Sequence, residues 1–292
     1  MASMSGKRLM VLGNALRPGV SEAAASLLPW IRDLARVVLV DLEQREDLSR
    51  HEADFTLVLG GDGAILRAAR QMGHRQLPVL GVNLGRLGFL ADLSVEALRL
   101  WLPKVLEGDY RVTRHVMFEM FEGPAPGLET RGKLTLNDVS IFNGAPFHML
   151  DMDLLIDGAP ASRYAADGLI ISTPVGSTAH SLSAGGPILG QELDAVVITP
   201  ICPHGLGNTP LVESASRTFT VRLNSGSDQA TVVLDGQETL PLARGHSITI
   251  RKAPVQFQLI KVPGQGFYQT LREKLNWGTT PNYREEDSSA RE

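Results

Sequence analysis

The sequence predicts an α/β open-sheet domain at the N-terminus and an all-β, sandwich-like domain after it. A C-terminal helix is predicted to return to the first domain. Three observations carry this reading. Strand and helix patterns alternate through the first hundred residues. After Gly108 the chain becomes short strand-like runs parted by Gly, Pro, Asn and Asp. Helical periodicity then reappears at residues 266–277.

The elements follow in order. "RLMVL" (8–12) is an apolar run of buried-strand type. "SEAAASLLPWIRDLA" (21–35) reads as a helix, with Ser21 as N-cap and Pro29 as a kink or break. "RVVLVDL" (36–42), "FTLVLG" (55–60) and "LPVLGV" (77–82) are short apolar runs of the kind found in parallel sheets. "AILRAARQM" (64–72) is amphipathic. "SVEALRLWLPKVLEG" (94–108) is a helix capped by Ser94 and ended by Gly108. The series β-α-β-β-α-β-α makes an open sheet. From 109 to 263, runs such as "MFEMF", "KLTLNDVSIF", "GLIIST", "AVVITP" and "HSITIRK" read as strands. "GSTAHSLSAGG" interrupts them as one short helix with a glycine stop. "GFYQTLREKLNW" (266–277) has an apolar face of Phe267, Leu271 and Leu275 that needs a partner. The expected division is 1–108 plus 264–277 for the first domain and 109–263 for the second. Residues 278–292 are polar and aperiodic and are expected to be disordered.

Composition narrows the classes. The chain has 292 residues, 43% apolar and 21% charged, which suits two globular cores. A net charge of −4 gives no basic field for nucleic acid or membrane. The one cysteine, Cys202, rules out an internal disulfide and a CxxC zinc motif. It is read as a small apolar filler beside Pro203. The apolar run Leu9–Leu12 is too short for a signal sequence, and no run is long enough for a membrane span. A cytoplasmic, reducing location is expected.

Three stretches carry candidate chemistry. The first is Gly60-Gly61-Asp62-Gly63, between a strand and a helix. The glycines allow close backbone approach, and the helix start offers free N–H groups to phosphate. A plain turn with Asp62 as N-cap is an equal reading. The loop is neither a Walker A motif nor GxGxxG. The second stretch is "LTLNDVSIFN" (134–143), where Asn137 and Asp138 interrupt an alternating pattern. A bulge or turn explains that pair, and so does recognition of a base or hydroxyl. The third is "ADGLIISTPVGSTAHSLSAGGPI" (166–188). Its hydroxyl side chains flank a buried strand, which favours a ligand wall over a solvent-facing loop capped by Ser177. "GVNLGRLGFLADL" (81–93) is either a packed loop or, through Arg86, a phosphate-steering one. His148, His180, His204 and His246 lack metal-ligand spacing, so no residue is assigned to a metal.

Taken together these stretches resemble the NAD kinases. The likeness covers "GGDG", "NLGRLGFLAD", "LND", "DGLIISTPVGSTAHSLSAGGPI", "ITPICPH", "LDGQ" and "LREKLNWG", in family order over residues 55–277. It implies transfer of a phosphoryl group from ATP, or from inorganic polyphosphate, to the 2′-hydroxyl of the adenosine ribose of NAD. It also implies Mg²⁺ or another divalent cation with the donor, and a homodimer or homotetramer. Asp62 would meet the ribose and act as general base. Gly60, Gly61 and Gly63 would complete the phosphate turn. Asn137 and Asp138 would hold the adenosine end, and Asp167 the nicotinamide side. Thr178, Ala179, His180 and Ser183 fall on the helix that cups adenine.

The chain departs from the family pattern at several positions. His180 stands where Tyr is usual, Val175 and Ala64 where Thr is common, and Gly205, Gly207 and Thr209 replace a stretch that usually carries an Arg. Two alternatives stay open on the sequence. One is a lipid kinase of the diacylglycerol or sphingosine type, which shares GGDG. The other is a non-catalytic regulator that binds NAD or NADP.

Overall fold

The computed structural model describes residues 5–85, 88–124, 126–127, 129–145, 147–205, 207–226, 230–264 and 266–278. The N-terminal part contains β1 (Ser5–Leu12), α1 (Val20–Leu34), β2 (Ala35–Asp41), β3 (Phe55–Leu59), α2 (Asp62–Gln71), β4 (Val79–Val82) and α3 (Val95–Glu107). The four strands are parallel, in the order β2-β1-β3-β4. Strand alternation sorts the core. Leu9 and Val11 of β1 pack with Leu27 and Ile31 of α1 and Leu98 and Leu102 of α3. Met10 and Leu12 face the other way, toward Ile65 and Ala69 of α2. Helices therefore cover both faces, which is why β3 and β4 are buried along their whole length. The chain reverses direction across the sheet between β1 and β3, and this leaves a crevice at their carboxyl ends.

Ser94 caps α3 by accepting the Ala97 N–H at 3.2 Å, and Gly108 ends it in a left-handed conformation. At α1 the expectation is corrected. The N-cap is Gly19, φ 80°, and Ser21 lies inside the helix, because burial of Val20 draws the helix start forward. Pro29 does not break α1. Both Pro29 and Ala25, whose carbonyl loses its donor, are exposed, so water can replace the missing bond.

The remainder holds β5 (Arg111–Glu122), β6 (Lys133–Thr135), β7 (Asp138–Phe142), β8 (Leu150–Ile156), β9 (Ala159–Ala166) and β10 (Gly168–Ser172). After these come α4 (His180–Ser183), β11 (Ala195–Ile201), β12 (Leu211–Ser214), β13 (Phe219–Ser225), β14 (Thr231–Leu234), β15 (Glu238–Pro241), β16 (Ser247–Lys261) and α5 (Phe267–Leu275). A six-stranded sheet runs β12-β11-β10-β7-β14-β15. It packs on β5, β8, β9, β13 and the start of β16, with Phe118, Leu154, Phe219 and Ile250 meeting Ile141, Leu169 and Ile198 in one core. β16 links the two parts. Its first residues pair with β13, and Leu259 pairs in parallel with Val79 of β4. The N-terminal sheet thus continues without a gap into the sandwich.

Three further expectations are corrected. "GSTAHSLSAGG" is not one helix: a 3₁₀ turn at Gly176–Thr178 precedes α4, and Ala179 (φ −101°, ψ −128°) breaks them apart. Cys202 is exposed with φ 46°, not a buried filler, because it turns the chain out of β11. In α5, Leu271 is buried and Phe267 packs on Phe89 at 6.2 Å between ring centroids, while Leu275 stays 38% exposed. The expected disordered tail lies, beyond Gly278, outside the described residues. So does Arg86. No described helix is long and apolar enough to cross a membrane.

Candidate active site

The glycine turn lies at the carboxyl end of β3. Gly60 has φ 140°, a conformation side chains avoid, and this lets the backbone bend into the crevice. Gly61 is the N-cap of α2, and Asp62 is its first residue. Asp62 does not cap its own helix. Its Oδ1 accepts the N–H groups of Leu90 (2.9 Å) and Ala91 (3.0 Å), and its Oδ2 accepts that of Phe89 (2.9 Å). Gly88 makes this possible, since a Cβ there would fall on Asp62 Oδ1. Lys274 of α5 places Nζ 3.9 Å from Oδ2.

A cavity of about 560 Å³ opens on the crevice, lined by Gly60, Gly61, Gly63, Asn14, Arg17, Arg67 and Gln237 among others. Asp62 is not part of that lining. The acid in the middle of the glycine turn is bound elsewhere, and the surface offered to an anion is backbone and arginine. Arg67 gives one N–H to the carbonyl of Gln44 (3.2 Å), while its buried Nε has no partner.

Asp235 joins this turn to the Asn137 loop. It is 6% exposed and accepts from the N–H groups of Asn137 (2.7 Å) and Leu136 (3.0 Å), from the Thr135 hydroxyl, and from Arg70 (3.2 Å). Burial raises its pKa, against these bonds and the Arg70 charge. Gln237 accepts from Arg70 at 2.7 Å and donates to the Gly63 carbonyl at 2.8 Å. The start of α2 and the loop between β6 and β7 are therefore one hydrogen-bonded unit.

Asp138 is 2% exposed. Burial pushes its pKa up to about 6, with the Asp235 charge adding and the Ser140 hydroxyl (2.7 Å) and nearby His180 opposing. His180 is exposed, and its ring lies 5.7 Å from that of Phe142. Thr178 donates to the Val175 carbonyl at 3.1 Å, Ala179 is half-buried and Ser183 is exposed. Asp167 is half-buried at the other end of β10, with its Oδ1 3.5 Å from the Asn143 amide. The pairing of β7 with β10 sets Asp167 opposite Asn143, five residues of strand, roughly 17 Å, from Asp138. Asn137 and Asp138 are thus tied to the glycine turn through the Asp235 and Gln237 bonds, while His180 lies on Phe142, toward the end of β7 where Asp167 stands.

The hydroxyl wall is thinner than the sequence implies. Ser172, Thr173, Ser177 and Ser181 are fully buried. Their hydroxyls bond to Asn137 and Thr173, Leu136, Pro174 and Thr199 respectively. They knit the loop together, and of 178–183 it is His180 and Ser183 that are exposed, with Thr178 and Ala179 half-buried. Asp235, Gln237, Arg67, Arg70 and Lys274 were given no role in the sequence reading. "LDGQ" marked the first two and "LREKLNWG" marked Lys274 as part of the resemblance, but Arg67 and Arg70 look like any solvated helix face. Among the described residues no group of three or more His, Cys, Asp or Glu side chains could hold a metal ion.

The family profile described as the ATP-NAD kinase N-terminal domain matches residues 10–110, and the ATP-NAD kinase C-terminal domain matches 136–262. The chain belongs to the NAD kinase family. It is 46% identical to an NAD kinase of Rhodopirellula baltica, over 92% of this chain and 86% of that one. It is 40% identical to one of Geotalea daltonii, over 87% and 90%. Among solved structures, yeast NADH kinase complexed with NADH superposes with a TM-score of 0.84 at 21% identity, covering 96% of this chain and 91% of that one. An NAD kinase from Archaeoglobus fulgidus in complex with ATP gives 0.74 at 28% identity, covering 92% and 98%. The lipid-kinase and non-catalytic readings are not favoured.

Proposed function

We propose that the chain is an NAD kinase that moves the terminal phosphoryl group of ATP to the 2′-hydroxyl of the adenosine ribose of NAD, giving NADP. The observation that carries this is the division at Asp62: glycine backbone and Arg67 face the cavity, while the carboxylate is held aside by three N–H groups. A donor triphosphate then meets N–H groups and guanidinium without an opposing charge. Asp62 Oδ2, with one N–H against two on Oδ1, keeps an open lone pair for the acceptor proton. Phosphoryl transfer depends mainly on positioning and electrostatics, so a rigidly held carboxylate suffices. Asn137 and Asp138 hold the adenosine end, His180 with Phe142 and the 178–183 turn seats the base, and Asp167 meets the nicotinamide side across the length of β7.

Mg²⁺ typically binds through one or two carboxylates plus substrate phosphates. We read the divalent ion as one carried in with ATP. When bound, it supplies charge neutralisation at the phosphates. Inorganic polyphosphate is an alternative donor for the same backbone cradle. The proposal also includes the domain division at 108/109 and 263/264, with β5 and β16 as shared strands, and a cytoplasmic homodimer or homotetramer. Leu211 (40% exposed) and Val212 (45%) on the edge strand β12 support association.

The test is to supply NAD and Mg²⁺ with ATP or polyphosphate and to detect NADP by mass. Asp62→Asn is expected to keep NAD binding and lose about 10²-fold in turnover. Undiminished turnover in that variant refutes the role.

A further inference from the structure

We propose that Lys274, brought to Asp62 by the C-terminal helix, is the cation that faces the transferring phosphoryl group. The inference rests on the reading that the chain phosphorylates NAD. α5 is a lightly held surface helix. Thr270 and Leu271 are buried, Phe267 rests on Phe89, and most of its other side chains are exposed. From this helix Lys274 reaches inward. Its Nζ lies 4.6 Å from the Phe89 ring centroid and 3.9 Å from Asp62 Oδ2.

The 3.9 Å separation is too long for a hydrogen bond. The ammonium is close enough to feel the carboxylate, yet its three N–H donors are not committed to it. Asp62 Oδ2 is also the oxygen with the open lone pair. A hydroxyl giving its proton to Oδ2 would bring the attacked phosphorus beside this ammonium. The other cations have different posts. Arg70 is committed to Asp235 and Gln237, and Arg67 lines the glycine-edged cavity. Among the described residues, Lys274 is the basic side chain that pairs with Asp62.

The step balances without a bond change at Lys274. The acceptor proton passes to Asp62 Oδ2, the 2′-oxygen forms its bond to phosphorus, and the bond to the leaving phosphate of ADP breaks with its electron pair. Negative charge spreads over the transferring oxygens, and a fixed ammonium there lowers the barrier. The Phe89 face gives the ammonium a resting place when no phosphate is bound.

The test is steady-state kinetics of Lys274→Met, Lys274→Arg and Lys274→Ala with NAD and MgATP. Lys274→Met is expected to lower kcat by about 10²-fold, with KM for NAD within about threefold of wild type. Lys274→Arg retains a larger share of kcat, and ethylammonium added to Lys274→Ala restores turnover. Rescue is read on one folded protein, so loss of structure cannot imitate it, and a purely structural lysine would not show it. A Lys274→Met kcat within about threefold of wild type, or a loss confined to KM for NAD, overturns the proposal. Wild-type protein that makes no NADP would fail the kinase reading instead.

Discussion

Asp138→Asn should make the protein more stable at pH 8 and leave its stability unchanged near pH 4. Asp138 is 2% exposed, and its carboxyl is raised from 3.8 to about 6, chiefly by burial. Between these values the folded state keeps a proton that the unfolded chain has released, so stability falls as pH rises through that window. Above it the fold carries a buried carboxylate. The gap of about two units corresponds to about 3 kcal/mol, at roughly 1.4 kcal/mol per unit. Asparagine keeps the shape and can accept from the Ser140 hydroxyl, but it has no charge to bury. At about 2 °C per kcal/mol, the expected gain in Tm is about 6 °C at pH 8, shrinking toward zero near pH 4. Thermal unfolding of both proteins across that range is the assay. A difference that does not change with pH, or a less stable variant at pH 8, would refute burial as the cause.

Other outcomes follow from the same geometry. Arg70→Met removes the guanidinium beside the fully buried Asp235 carboxylate. It should cost about 3–5 kcal/mol in urea unfolding, more than a surface pair would. Gly88→Ala places a methyl group on Asp62 Oδ1 and should lower kcat by about tenfold or more while far-UV circular dichroism stays native. A kcat equal to wild type would show that the Asp62 pose does not matter.

The parallel sheet was legible because periodicity and punctuation agreed. Leu9–Leu12, Phe55–Leu59 and Val79–Val82 are all-apolar or nearly so, and Ser94 and Gly108 bracket α3 as capping chemistry requires. Errors arose where a tertiary contact outvoted a local rule. Burial of Val20 moved the start of α1 ahead of Ser21, and exposure of Ala25 made Pro29 tolerable. The cap reading of Asp62 stayed equal to the ligand reading, because nothing in "GGDG" shows that Phe89, Leu90 and Ala91 will bring three N–H groups to it. The length of β16 was hidden as well. Its Leu259 joins β4, some 180 residues away in sequence, and no local pattern encodes that pairing. "LDGQ" marked Asp235, but its role as a hub was hidden for the same reason: its partners at 70 and 135–137 meet only in the folded chain.

The most direct test is a crystal structure with NAD bound. The account predicts the adenosine 2′-oxygen within hydrogen-bond distance, about 2.6–3.2 Å, of Asp62 Oδ2, with Oδ1 still bonded to Leu90 and Ala91. A 2′-oxygen remote from this carboxylate and turned to solvent would contradict it.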